Sequence, residues 1–194
     1  MHPIWTLILI ALLLSGMYYF VKKGLDKLFQ AIVDIHHQEL LDLFESLPPS
    51  KLQESVVFLG DSLVEFFPIR EFFPDIPILN RGIGGNTTQD VLDRLKTSLF
   101  NFKPAKTFLW IGTNDLGQNS QDLPRIVQQI EKIILQIKKK LPQCQIYLLS
   151  IPPIRNPTKA RFIKKIILKE RTNQKIKELN VLIQSMVLKQ KVIF

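Results

Sequence analysis

The spacing of hydrophobic residues changes character along the chain. Residues 3–21 are apolar almost throughout and carry no charge. Between residues 25 and 47 the apolar positions fall at helical spacing (Leu25, Leu28, Phe29, Ile32, Ile35, Leu40, Leu41, Phe44), which predicts a helix closed by Pro48-Pro49-Ser50. Beyond the prolines, short apolar runs alternate with longer amphipathic stretches. Residues 56–59, 78–79, 106–111 and 145–151 read as strands. Residues 89–100, 123–141 and most of 159–190 read as helices, and Lys191-Val192-Ile193-Phe194 reads as the opening of a fifth strand. Strands separated by helices of this length predict an α/β fold, a parallel sheet with helices on both faces.

The first apolar stretch is long enough to change the picture. A spanning helix needs about 20 apolar residues. Trp5 near one end and Tyr18-Tyr19 near the other match the aromatic belts of a membrane span, and Lys22-Lys23 end it. A cleaved secretory signal would want a basic start and a small-x-small cleavage site, whereas only Met1-His2 precede the run and Ser15-Gly16-Met17 is a poor site. The expected organisation is a transmembrane anchor over 1–23, a juxtamembrane helix and linker over 24–50, and a folded domain over 51–194. Lys22, Lys23 and Lys27 follow the span, so the positive-inside tendency puts that domain on the cytoplasmic face of a single-pass membrane protein. Membrane lipid is then a partner through residues 3–21.

Charge adds one qualification. The formal net charge is +9, and all of it comes from residues 151–194, which hold 11 basic and 2 acidic residues. The plainer reading is a solvated helix whose acidic neighbours lie elsewhere. No nucleic-acid partner is expected, since no aromatic-interleaved platform accompanies the charge. The single cysteine, Cys144, excludes an intramolecular disulfide and reads as a structural thiol, because no histidine accompanies it.

Three polar motifs follow predicted strands: Gly60-Asp61-Ser62-Leu63, Asn80-Arg81-Gly82-Ile83-Gly84-Gly85-Asn86-Thr87-Thr88, and Gly112-Thr113-Asn114-Asp115. Ligands and chemistry gather at the carboxyl ends of strands in open α/β sheets. A serine at a strand-to-helix turn can expose its hydroxyl and aim its own N–H at the same point. A glycine N–H can approach a substrate closely, and an asparagine amide carries two N–H bonds. Together Ser62, Gly85 and Asn114 could stabilise the oxyanion formed when an ester carbonyl is attacked. Asp61 and Asp115 read as supports that brace their turns through side-chain-to-backbone bonds. Taken singly, each motif could be no more than a turn or a helix cap.

In order and content the motifs resemble those of the SGNH (GDSL-type) hydrolase family, from about Ser55 onward, and the stretch from Ile83 to Thr88 is most similar to the platelet-activating-factor acetylhydrolase-like branch. The resemblance implies a flavodoxin-like three-layer α/β/α fold and a serine esterase or lipase-like hydrolase acting through an acyl-Ser62 intermediate, with no metal or cofactor. Its substrate would be a short-acyl lipid ester, a lysophospholipid or an acetylated sugar. The family's base, a histidine in D-x-x-H near the C-terminus, has no counterpart here: the histidines are His2, His36 and His37. Asp34-Ile35-His36-His37 spells the motif but precedes Ser62, and is read as a chance match on the juxtamembrane helix. The chain is therefore expected to stop before the catalytic Asp-His pair, the last strand and the closing helix, and to have little esterase activity. The alternative is a non-catalytic protein of the same fold that binds esters or glycans. Phe66, Phe67, Phe72 and Phe73 follow the serine and could line an acyl pocket or touch lipid, although core packing is the commoner fate of such residues.

Overall fold

The computed structural model describes residues 3–48, 55–119, 122–155, 171–190 and 192–194, apart from the side chains of residues 3, 5, 6, 9 and 119. The end of the expected linker (49–50), the first part of the expected basic helix (159–170) and Lys191 lie outside this set. The chain divides into two compact units, residues 1–42 and 43–194.

Residues 3–42 of the first unit belong to helix α1 (Pro3–Ser46), which continues without a break through the position where an anchor was expected to give way to a second helix. Among the described residues no helix is long and apolar enough to cross a membrane, so the expected transmembrane span over 3–21 is not supported.

The second unit is built on four parallel strands in the order β2-β1-β3-β4: β1 (Val56–Gly60), β2 (Ile78–Gly82), β3 (Lys106–Trp110) and β4 (Gln145–Leu148). The register aligns Gly60 with Gly82 and with Trp110, bringing the carboxyl ends of three strands level. Between the strands lie short helices α2 (Ser62–Glu65) and α3 (Ile69–Phe72), then α4 (Thr88–Asp93) and α5 (Leu95–Ser98), then α6 (Thr113–Asn119) and α7 (Leu123–Lys140). Helix α8 (Asn173–Gln190) follows β4. Where a fifth strand was expected, the described residues hold a single bridge rather than a strand. Ile193 forms a parallel bridge with Tyr147, its N–H donating to Ile146 O at 3.2 Å and its carbonyl accepting from Leu148 N–H at 2.8 Å.

The strand residues alternate faces, as pleating requires. Val57, Leu59, Leu109, Ile146 and Leu148 face the main core, which Val91, Leu95, the isoleucines of α7 (126, 130, 133, 134, 137) and those of α8 (176, 183) complete. The other face carries Phe58, Phe108 and Tyr147 as a stacked row, with ring centroids 4.7 and 4.6 Å apart. Phe67 and Trp110 border that row, and only Phe58 of its three rings is fully buried. The four phenylalanines after the serine therefore divide. Phe67 packs on Phe58 and takes Phe72 as a stacked neighbour, while Phe66, Phe72 and Phe73 are exposed at 75%, 62% and 38%.

The fourth strand, expected over 145–151, ends at Leu148, and Pro152-Pro153 in the segment after it cannot donate backbone hydrogen bonds. The segment they occupy is held instead by two asparagines of α8. Asn180 exchanges two bonds with the Ile151 backbone, both 2.9 Å, and Asn173 does the same with Ile154 at 2.7 and 3.1 Å.

Candidate active site

Ser62 is the first residue of α2, directly beyond β1, and is half-buried. Asp61 caps that helix: its Oδ1 accepts the Leu63 N–H at 2.9 Å, one of the amides a helix start leaves unpaired. Helix α2 lies tightly over the end of β2, where a Cβ added to Gly82 would meet the Glu65 backbone nitrogen at 2.1 Å. The Gly84 N–H donates to Glu65 Oε2 at 2.5 Å, and a Cβ at Gly84 would stand 3.9 Å from Ser62 Cβ. The glycine loop thus runs beside the serine.

Gly85 has φ +78° and is exposed, with open space where a side chain would project. Thr87 and Asp90 then form a reciprocal capping box that starts α4.

Asn114 lies in the first turn of α6 and is buried to 9% exposure. Its Nδ2 donates to Asn86 O at 2.9 Å, which links the third motif to the second, and its Oδ1 accepts from Arg171 Nη2 at 2.9 Å. Asp115 accepts from Thr88 three times, through the N–H (3.0 and 3.2 Å) and the hydroxyl (2.5 Å). It joins α6 to α4, and burial raises its carboxyl above the usual range against those stabilising bonds.

Asp61 is fully buried, and burial pushes its carboxyl up to about 7, against the opposing influence of the Leu63 N–H and of Arg171 and Arg94. Its Oδ2 has no hydrogen-bond partner, which suits a carboxyl that keeps its proton near neutrality.

Two arginines carry much of this arrangement, and the sequence reading assigned neither. Arg94 is buried at the end of α4. Its Nε donates to Asn86 Oδ1 (2.7 Å), one Nη to Arg81 O (3.1 Å) and Ser98 Oγ (2.8 Å), and the other to Gly60 O (2.8 Å). One side chain so ties the ends of β1 and β2 to the glycine loop. Burial lowers its guanidinium to about 10, so it stays charged at neutral pH. The available signal was positional: Arg94 falls on the stripe marked by Val91, Leu95 and Ser98, where a charge has no place unless it is paired. Arg171 followed a basic stretch and had no such signal.

His36 and His37 lie on α1, in the first compact unit. No histidine occurs from residue 38 to 194. Among the described residues no group of three or more His, Cys, Asp or Glu could hold a metal ion. Cys144 is half-buried with its Sγ 3.2 Å from Thr107 Oγ1, and burial raises its thiol above the usual value, as befits a structural thiol.

The profile of the GDSL-like lipase/acylhydrolase family matches residues 58–194. The chain is 32% identical over 126 residues to bovine platelet-activating factor acetylhydrolase IB subunit alpha1, covering 62% of this chain and 50% of that one. It is 35% identical over 123 residues to the human alpha2 subunit, covering 61% and 50%. The chain therefore spans about half the length of these curated relatives. A solved structure from Streptococcus pneumonia, provisionally described as a platelet activating factor, superposes with a TM-score of 0.74 at 29% identity, over 84% of this chain and 75% of that one. A GDSL-like lipase from Bacteroides thetaiotaomicron shares the fold, with a TM-score of 0.62 at 24% identity over 84% and 76%. The chain belongs to the GDSL-like lipase/acylhydrolase family.

Proposed function

We propose that residues 51–194 of this family member carry the nucleophile and the oxyanion-binding half of a serine esterase. Ser62 Oγ gives its proton to solvent water as it attacks the carbonyl carbon of a carboxylic ester. The carbonyl π electrons move onto oxygen, and the resulting oxyanion is held by the N–H groups of Ser62 and Gly85 and by the free Nδ2–H of Asn114. Collapse expels the alcohol, which takes up a proton, and leaves acyl-Ser62. Water then releases the acid and restores the serine. Asp61 and Asp115 do not touch the reacting atoms; they fix the starts of α2 and α4. The observation that carries this reading is the meeting of the three motifs, with Gly84 against Ser62 and Asn114 bonded to Asn86.

The serine proton needs an acceptor for attack at a useful rate. With no histidine from residue 38 onward, this chain is expected to acylate slowly, even with activated esters. That same feature favours a second reading, in which the chain binds an ester or acylated glycan without turning it over. The substrate classes consistent with the family are a short-acyl lipid, a lysophospholipid or an acetylated sugar. Acetylation of Ser62 by p-nitrophenyl acetate, followed by intact-protein mass spectrometry and compared with Ser62→Ala, separates the two readings. Slow labelling that vanishes in the variant supports the esterase, and labelling that persists at the same level removes it.

A finer proposal concerns location. Residues 3–21 carry no charge, and Leu12, Leu13, Leu14 and Phe20, which face different sides of α1, are all exposed by more than half. These features support attachment to a lipid surface. Co-flotation of the chain with liposomes, lost on deleting residues 3–21, is the expected result.

A further inference from the structure

The amide of Asn114 is held from both sides. Its Nδ2 gives one N–H to Asn86 O, and its Oδ1 receives an N–H from Arg171, each at 2.9 Å. This pairing fixes which end of the amide is oxygen and which is nitrogen. The second Nδ2–H is left for the site. A hydrogen bond from a cation to Oδ1 also draws electron density out of the amide, which makes that remaining N–H a stronger donor.

Helix α6 leaves room for this contact at one position. A Cβ added to Gly117 would stand 3.0 Å from Arg171 Nε and 3.1 Å from Nη2. The guanidinium presents its Nε–Nη2 edge to the helix where a side chain is missing. It also lies near enough to Asp61 for its charge to oppose the upward shift of that carboxyl.

We propose that Arg171 is a positioning residue of the oxyanion site, acting through Asn114 and seated by Gly117. The inference rests on the esterase reading above. Arg171 neither attacks nor transfers a proton. It holds and polarises the donor that meets the oxyanion, so its contribution appears when charge develops on the carbonyl oxygen rather than when the ester binds.

The test uses the full chain and the rate of Ser62 acetylation by p-nitrophenyl acetate over a range of ester concentrations. Loss of a complete oxyanion donor costs about 10²–10³ in rate, and Arg171→Met, which leaves the donor in place but unsupported, is expected to cost about 10-fold. The loss should fall on the saturating rate and leave the half-saturating concentration unchanged. Arg171→Lys, which keeps the charge but not the fork, should recover part of it.

Gly117→Ala is the second arm. Alanine favours a helix interior over glycine while its methyl crowds the Arg171 guanidinium, so melting is followed beside the rate to separate a loss of fold from a loss of position. The variant should slow acetylation in the direction of Arg171→Met, though by less, because the guanidinium must shift by a few tenths of an ångström against Asn114. The side-chain amide resonances of Asn114 should move in both variants.

Arg171→Met and Gly117→Ala acetylating at the parent rate, with the Asn114 resonances unmoved, would overturn the proposal and leave the esterase reading intact. Labelling of the parent that does not depend on Ser62 would remove both.

Discussion

Raising the pH from 5 to 8 should weaken the hydrolase unit, and Asp61→Asn should remove most of that dependence. Asp61 has no exposed surface, one of its oxygens has no partner, and burial lifts its carboxyl from 3.8 to about 7. The unfolded chain has lost this proton above about pH 4, whereas the folded chain keeps it until about 7. Between those values the folded state binds more protons, so its stability falls as the pH rises and levels off above 7. Well inside the window each unit is worth about 1.4 kcal/mol, and because the slope halves as the pH reaches 7 the change from pH 5 to 8 is about 2.6 kcal/mol. Asp115, also raised by burial, adds to the slope in the same direction in both proteins, so the difference between wild type and variant reports chiefly Asp61 together with its coupling to Asp115. Asparagine keeps an oxygen to accept the Leu63 N–H, so the cap survives the change. Urea unfolding from pH 5 to 8, followed by Trp110 fluorescence, supplies the measurement. Wild-type and variant stabilities running parallel over that range would refute the reasoning.

Gly85→Ala should cost about 1–2 kcal/mol from its left-handed backbone alone, since the added methyl meets only open space. Ser62 acetylation in that variant should fall, by up to about 10²-fold, as relief of the backbone strain turns the residue-85 N–H out of line, measured by the mass-spectrometric assay. Thr88→Ala and Asp115→Ala should each destabilise the unit by about 1–3 kcal/mol. Their double mutant, followed by thermal denaturation, should cost clearly less than the two singles combined.

The parts of the fold that rest on periodicity could be read directly. The strand positions and helix α7 follow from runs of apolar residues that have no other place to go. Polar residues inside elements hid the rest. Strand β2 was read as two residues because Asn80 and Arg81 break its apolar run. Asn80 spends its amide on the backbone of Val64 and Glu65, and Arg81 lies between the rings of Phe44 and Phe102, at 4.4 and 4.7 Å. Asn80 is at home in a strand because its amide is bonded, and Arg81 because its guanidinium lies over two rings and bonds Asn80 O through one Nη, while its Nε and other Nη find no hydrogen-bond partner among the described residues. The amphipathic stretch 89–100 was read as one helix and is broken at Arg94, whose side chain turns back to the strand ends. The three motifs located the site because each is local in sequence. The arginines that join those motifs act across 34 residues (Arg94 to Gly60) and 57 residues (Arg171 to Asn114), and no local pattern records such distances.

The hydrogen bonds of Arg94 carry a dynamic consequence. A loop fastened only to its own neighbours can open alone, on its own timescale and at its own small cost. Here the exit of β1, the exit of β2 and the Asn86 side chain share one fastening, and releasing any of them leaves a buried charge short of a partner. Amide exchange around Gly60, Arg81 and Asn86 should therefore converge on one opening free energy, close to that of the sheet rather than that of a surface loop. The candidate site would then exist whole or not at all.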